Sequence, residues 1–314
     1  MAAEKPVAIV VGASRGIGRQ VAIDLAKNGY RVVVAAKTTS DASASDPFPP
    51  NPNSPQSTIN TVAREITEAG GEALALQVDV RDFENTEDMV RKTVQHYRRL
   101  DLLVYNSGAI WWASVEKTPM KRFQLMQRVN PEGLYGCVQA CLPHLYENGE
   151  NGGKGEGRIV VISPPVYSRF LRGKTAYAIG KWGMSALTMG LAMDFNREGR
   201  SEMAITSLWP AAAIDSAATQ NVDTRRAELR KPTIFSDAIL AIIKAPATEV
   251  NGRCLLDEDF LREQGVTNFS QYDLVPGGGP PRRIMPAELP SLRVREQDDE
   301  GNRVDSTSRR AAKL

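Results

Sequence analysis

Val10-Val11-Gly12-Ala13-Ser14-Arg15-Gly16-Ile17-Gly18 closes an apolar run and opens a stretch of helical period. A glycine-rich turn between a strand and a helix is the local context that a phosphate-binding turn requires. Gly12 permits the tight turn, Gly16 lets the backbone approach a pyrophosphate, and Gly18 lets helix and strand pack closely. The helix N-terminus supplies further N–H donors, so Gly12, Ser14, Arg15, Gly16, Ile17 and Gly18 together predict a dinucleotide site.

Outward from that turn, apolar β-rich runs recur at 6–11, 31–36, 73–78, 102–106, 158–163, 203–208 and 253–256, with helix-period stretches between them. Strands that read as continuous apolar runs are buried on both faces, and intervening helices imply right-handed crossovers on a parallel sheet. The pattern predicts an α/β chain: a single doubly wound Rossmann fold of about seven parallel strands flanked by helices. At 314 residues, 42% hydrophobic and 24% charged, the chain can bury one such core. The domain is expected over 1–275. After it, 276–314 opens on Pro276-Gly-Gly-Gly-Pro-Pro and continues in mixed charges, which predicts a disordered or partner-draped tail. Thr38 to Ser57, rich in Pro, Ser and Asn, and the glycine-rich 147–157 read as surface insertions, the first beside a strand end where ligands bind.

The net charge of +2 is spread along the chain without a basic block, which argues against nucleic acid. No apolar run approaches the roughly 20 residues of a membrane span, so no membrane insertion is expected. Three cysteines, Cys137, Cys141 and Cys254, lack metal or redox spacing and suggest a reducing, intracellular compartment. His96 and His144 have no positioned partner, which disfavours metal sites and hydrolase triads.

The second strand ends Val34-Ala35-Ala36-Lys37. An NAD-preferring site places an acidic residue there for the ribose hydroxyls. Lys37 and Arg15 instead offer two cations to a 2′-phosphate, which favours NADP(H). Far downstream, Tyr177-Ala-Ile-Gly-Lys181 places a phenol and an ammonium four apart on one helix face, so the cation can favour the ionised phenol and make it a proton donor or acceptor.

With these two ends in place, the chain resembles a short-chain dehydrogenase/reductase from about residue 5 to 275. Gly12-x-x-x-Gly16-x-Gly18, Asp79-Val80, Asn106-Ser107-Gly108, Asn130 and Tyr177-x-x-x-Lys181 fall in family order and spacing. The resemblance implies that Asp79 and Val80 hold the adenine and that the Asn106-Ser107-Gly108 turn backs the adenosine ribose. It also implies that Lys181 binds the nicotinamide ribose, that Asn130 anchors a proton relay, and that Pro210 and Ile214 lie over the nicotinamide. Within the family, Ala35-Ala36-Lys37-Thr38 with its Pro-rich insertion, Ile162-Ser163-Pro164-Pro165, Leu208-Trp209-Pro210 and Leu256-Asp257-Glu258 resemble the hydroxysteroid dehydrogenase-like protein two group. Members of that group often carry a sterol-carrier domain and have been associated with peroxisomes and mitochondria.

Relatives place a substrate-binding serine thirteen residues before the tyrosine, where this chain has Pro164; Ser163 precedes it by one. Strand alternation would turn Ser163 from the site, and the Pro164-Pro165 kink could redirect it, with Tyr167 and Ser168 as neighbouring hydroxyls. Tyr105 replaces a usual asparagine, and Pro131 fits a helix that bends after Asn130. The expected activity is NADP(H)-dependent interconversion of a carbonyl and a hydroxyl on a partly apolar small molecule, with Tyr177, Lys181, Asn130 and Ser163 as the catalytic set. The alternatives are a non-catalytic NADP(H)-binding protein and an epimerase or lyase on the same fold. A homodimer or homotetramer is expected, built on helices that include Gly183, Ala186, Leu187 and Gly190. Ala312-Lys313-Leu314 resembles a peroxisomal import signal, which predicts an import receptor as partner and a peroxisomal location, with cytoplasm as the alternative.

Overall fold

Val7–Val11 (β1), with all five residues buried, is the strand on which both layers of the molecule rest. In the computed structural model, residues 4–147, 155–220, 225–278 and 281–290 are described. Strand β1 is followed by helix α1 (Gly16–Lys27), β2 (Arg31–Ala36), α2 (Ile59–Glu68), β3 (Glu72–Gln77), α3 (Phe83–Tyr97) and β4 (Leu102–Tyr105). The second half runs α4 (Met120–Gln127), α5 (Gly133–Tyr146), β5 (Arg158–Ile162), α6 (Thr175–Arg197), β6 (Ala204–Trp209), α7 (Thr233–Lys244), α8 (Ala247–Val250), β7 (Cys254–Leu256) and α9 (Asp257–Glu263). All seven strands are parallel, in the order β3-β2-β1-β4-β5-β6-β7. The order reverses between β1 and β4, and the crevice at that switch point is where open α/β sheets bind ligands.

The period of two in β1 divides the core. Ala8 and Val10 face a cluster with α1, α2, α7 and α9, whereas Val7, Ile9 and Val11 face α3, α5 and α6. Cys137 and Cys141 belong to the second cluster; both are fully buried, and burial pushes the Cys137 thiol up to about 12. Among the described residues no helix is long and apolar enough to cross a membrane.

Between α4 and α5 the chain makes a π turn, Arg128–Glu132, with Pro131 inside it. Proline cannot donate to the ladder, and the wider turn absorbs the mismatch. The Tyr105 hydroxyl donates to the Val129 carbonyl at 2.5 Å, which gives that buried oxygen a partner. The tyrosine in place of an asparagine is therefore a brace for the bend.

The folded body extends past residue 275. Residues 281–290 lie on this chain's own domain: the Ile284 N–H donates to the Ala211 carbonyl at 2.7 Å, and Arg283 makes a bidentate pair with Asp259. Met285 is buried beside Ala211 and Leu256. The expectation of an unstructured tail from 276 is corrected for this stretch, because one arginine fork and one buried methionine dock a segment whose average composition is polar. Residues 291–314, including Ala312-Lys313-Leu314, lie outside the described residues, as do 148–154 of the second insertion.

Arg230 is buried and pairs with Glu258 at 2.9 Å and with Asp273, and it donates to the Phe269 carbonyl at 3.0 Å. Removing one member of a buried ion network leaves the others desolvated and unpaired. Arg230→Met is expected to cost about 3–5 kcal/mol, a fall of roughly 6–20 °C in Tm. Thermal and urea unfolding measure this, and an unchanged Tm would show that the network carries no stability.

Candidate active site

At the C-terminal end of β1 the backbone turns under tight constraint. Gly12 has φ +84° and its N–H donates to the Ala35 carbonyl at 2.7 Å. A Cβ there would lie 2.6 Å from the Ser107 nitrogen. A Cβ on Gly18 would overlap the Gly12 carbonyl oxygen and lie 2.5 Å from the Asn106 amide nitrogen. That amide donates to the same carbonyl at 2.9 Å. The Gly12 and Asn106-Ser107-Gly108 turns therefore press together at the switch point, with the N-terminus of α1 opening beside them. A cradle that side chains would fill, at a helix N-terminus, fits a dinucleotide pyrophosphate.

At the ends of β2 and β3, Lys37 pairs with Asp79 at 2.9 Å, and Arg81 grips the same carboxylate at 2.5 and 2.8 Å. The Arg81 hydrogen bond, with help from Lys37, holds the Asp79 carboxyl well below the usual range. The cluster carries two cations and one anion. Val80 turns inward against Gly133, so its side chain belongs to the core.

Asn130, in the π turn, is fully buried and clamps the Ala109 backbone from both sides: its Oδ1 accepts from the Ala109 N–H at 2.8 Å and its Nδ2 donates to the Ala109 carbonyl at 3.1 Å. Gly180 of α6 lets that helix approach, since a Cβ there would be 3.3 Å from the Asn130 amide nitrogen. Lys181 Nζ donates to the Ile162 carbonyl at 2.7 Å and lies 5.6 Å from the centre of the Trp209 ring. A Cβ on Gly108 would sit 3.4 Å from Lys181 Nζ and 3.5 Å from Asn130 Oδ1. Lys181 and Asn130 thus meet the Asn106-Ser107-Gly108 turn that packs against the glycine-rich turn.

Tyr177 is only 4% exposed, with Trp112 and Phe170 over its ring at 6.4 and 5.8 Å between centroids. Trp111, Phe123, Trp209 and Met126 complete an aromatic-rich wall. Burial pushes the Tyr177 phenol well above its usual range and pulls the Lys181 ammonium from 10.5 to about 7. Desolvation by burial is the cause of both shifts, and it favours the neutral form of each group.

Ser163 is completely buried and receives a hydrogen bond from Ser185 at 3.0 Å; the Ser185 hydroxyl also reaches the Pro164 carbonyl at 2.7 Å. Ser185 lies two helical turns beyond Tyr177. The strand also breaks at this point, because the Ser163 N–H turns back to the Val161 carbonyl at 3.0 Å. Ser163 is engaged in packing β5 against α6. Tyr167 packs towards Met285 and Leu289, and the Ser168 side chain lies outside the described residues.

Ile214 is buried under the glycine-rich turn in the α1 and α7 core, and Pro210 precedes Ala211, whose N–H donates to Asp257 at 2.8 Å. Arg81, two residues beyond Asp79, escaped the sequence reading. The Trp111-Trp112 pair follows β4, and the 38–57 insertion, expected beside a strand end, reaches the turn through Pro52, Asn53 and Ser57.

A lysine whose folded pKa lies near 7 leaves the folded chain with fewer protons than the unfolded chain between about 7 and 10.5. Stability therefore rises with pH across that window, and the full cost of the buried cation is present below it. Lys181→Met is expected to raise Tm at pH 6 by several degrees, at roughly 2–4 °C per kcal/mol, with the advantage shrinking towards pH 10. Scanning calorimetry from pH 6 to 9.5 measures this; a pH-independent difference would contradict it.

The sequence profile of the short chain dehydrogenase family matches residues 6–46 and 53–227. A curated relative, hydroxysteroid dehydrogenase-like protein 2 from Danio rerio, is 38% identical over 272 residues, 85% of this chain and 60% of that protein. The Homo sapiens protein of the same name is 36% identical over 272 residues, with the same coverage. The chain thus spans about three fifths of the length of these relatives. A putative dehydrogenase from Xanthomonas campestris superposes with a TM-score of 0.77 at 35% identity, covering 90% of this chain and 98% of that one. A 7α-hydroxysteroid dehydrogenase complexed with NADH and 7-oxo glycochenodeoxycholic acid gives a TM-score of 0.63 at 25% identity, covering 80% of this chain and 92% of that one. With the family profile covering more than half of its length, the chain belongs to the short-chain dehydrogenase/reductase family of oxidoreductases.

Proposed function

We propose that the chain is an NADP(H)-dependent oxidoreductase that interconverts a carbonyl and a hydroxyl on a partly apolar small molecule. The observation that carries this reading is the approach of Lys181 and Asn130 to Gly108, with Lys181 beside the ring of Trp209, which packs in one aromatic cluster with Tyr177. Bound NADP(H) would supply or accept the hydride. Tyr177 would give its proton to the substrate oxygen during reduction and take it back during oxidation. A phenol held protonated by burial suits the donor role at neutral pH. Lys181, anchored on the Ile162 carbonyl, would orient the nicotinamide ribose, and Asn130 would fix the Ala109 backbone in the floor of the pocket. The rings of Trp112 and Phe170 would exclude water. A steroid-like or other ring-bearing ketone fits such walls, in keeping with the 7-oxo compound bound by one structural relative.

The proposed preference for NADP(H) is supported by Lys37 and Arg81, which meet at Asp79 near the end of β2 so that one cation is neutralised, and by Arg15 at the N-cap of α1. We also infer pairing of chains along α6, where Ile179, Ala186, Gly190 and Met193 form one exposed face. Gly183, by contrast, is used within the chain, against Pro131. A non-catalytic NADP(H)-binding role has one observation in its favour, the engagement of Ser163 with Ser185 where relatives offer a substrate-facing serine. NADPH consumption across a panel of ketones separates the two readings.

Tyr177→Phe is expected to lower turnover by about 10²–10⁴ while the Kd for NADPH stays within about twofold, since the proton donor alone is removed. Ser163→Ala should leave kcat/KM within about threefold; a loss of 2–4 kcal/mol in transition-state stabilisation would make Ser163 an oxyanion donor after all. For the cofactor, Lys37→Ala is expected to weaken NADPH about tenfold, the scale of one charge-assisted hydrogen bond, and to leave NADH nearly unchanged. Equal effects on both, measured by fluorescence titration, would remove Lys37 as the discriminator.

A further inference from the structure

Lys174, the residue just before α6 and three before Tyr177, carries its ammonium to the same aromatic rings that cover the tyrosine. Its Nζ lies 4.3 Å from the centre of the Trp112 ring and 5.9 Å from that of Phe170. Those two rings pack on Tyr177 at 6.4 and 5.8 Å between centroids. Tyr177 is buried, whereas Trp112 is 43% exposed and Lys174 is half-buried, so the cation stands where the aromatic cluster meets solvent. No carboxylate pairs with Lys174 among the described residues. The neighbouring chain is poor in acids as well. From Ile162 to Met193 it holds Arg169, Arg172, Lys174 and Lys181 and no acidic residue, and Glu116 is the first acid in the loop after β4.

A half-buried ammonium loses hydration, and the positive end of α6 opposes a cation at this place. Burial accordingly lowers the Lys174 pKa. The faces of Trp112 and Phe170 offset part of that loss, but a ring face does not use up the three N–H donors of an ammonium. A cation without an acid, set against the rings that wall the tyrosine, is complementary to an anion arriving with the substrate. We propose that Lys174 is a substrate-binding residue that receives a carboxylate, so that the substrate is an oxo acid or the corresponding hydroxy acid. Its carbonyl or hydroxyl lies at Tyr177, its apolar part lies against Trp112 and Phe170, and its carboxylate meets Lys174 at the mouth. The bond formed there is charge-assisted and lies in surroundings less polar than water, where it is stronger. Recognition is thus divided between the two ends of the substrate: Tyr177 acts on the reacting oxygen, and Lys174 selects for the charge. The inference rests on the reading of Tyr177 as proton donor to a carbonyl.

Reduction of benzoylpropionic and benzoylbutyric acids, each beside its methyl ester and under saturating NADPH, tests it in wild type, Lys174→Met and Lys174→Arg, with Tm recorded for each. Wild type is expected to show a KM for the acids about tenfold below that of the esters, the scale of one charge-assisted hydrogen bond. Lys174→Met should remove that difference by raising the KM of the acids, with kcat and the KM of the esters within about twofold, and Lys174→Arg should keep it. Equal KM for acid and ester in wild type, equal effects of Lys174→Met on both, or turnover confined to the esters refutes the role of Lys174 while the oxidoreductase reading stands. Should Lys174→Met fail to fold, salt decides in wild type. An ion pair at a half-exposed site is screened, so NaCl should raise the KM of the acids severalfold and leave that of the esters unchanged, and equal responses refute the proposal. Wild type that consumes NADPH with none of these compounds, nor with any ketone of a wider neutral panel, would instead overturn the oxidoreductase reading.

Discussion

The carbonyl of Gly12 is enclosed on two sides, by Gly18 of the following helix and by the amide of Asn106 from the turn after β4. Neither position beside it can carry an extra carbon, and the amide must reach it, so the spacing between β1, α1 and β4 is fixed at the place where the sheet order reverses. Much else follows from that contact. With Asn106 held, Gly108 is presented to Lys181 and Asn130, and Ala109 enters the clamp of the Asn130 side chain. The glycine-rich turn and the surroundings of Lys181 and Asn130, the two ends of the proposed site, are therefore connected by the four consecutive residues Asn106 to Ala109. Preorganisation of this kind removes ordering cost from the moment of reaction.

The same closeness has an energetic cost. Lys181 and Tyr177 are taken out of water together, and burial shifts each towards its neutral form. One carbonyl bond from Ile162 and the face of Trp209 offset only part of the loss for the ammonium. A site that destabilises its own lysine is one in which an electronegative ribose would be held more firmly than in water, since low polarity strengthens hydrogen bonds as well as desolvation costs.

The strands and the two ends of the site were legible because each depends on local pattern. Continuous runs such as Val32-Val33-Val34 mark a strand buried on both faces, and glycines at 12, 16 and 18 mark a turn whose backbone leaves no room for side chains. Tyr177 and Lys181 were legible because a spacing of four on a helix is also a geometry. Ser163 was not, since its direction depends on a strand break at Ile162 and on a hydroxyl 22 residues away on α6. Lys37 reaches Asp79 across two strand ends, a pairing that the β2–β3 register brings about, and Arg81 then joins the same carboxylate from two residues on. Composition did not reveal the docking of residues 281–290 for a related reason: an average over Pro, Gly and charge does not see a single Arg283–Asp259 fork.

That fork belongs to a larger arrangement over the site. Ala211 is held from one side by Asp257 and from the other by Ile284, and Ala213 accepts from Arg230, which is bound in turn to Glu258 and Asp273. The segment after β6 is therefore suspended from β7, α9 and residues 283–285, elements remote from the reacting groups. Burial raises the Asp257 carboxyl to about 7, while its two backbone N–H partners pull the other way. One of its oxygens accepts both N–H groups and the other is buried without a partner. Because that segment carries Ile214 and Asp215 to the glycine-rich turn, its position is set by a buried polar network rather than by contact with the cofactor site.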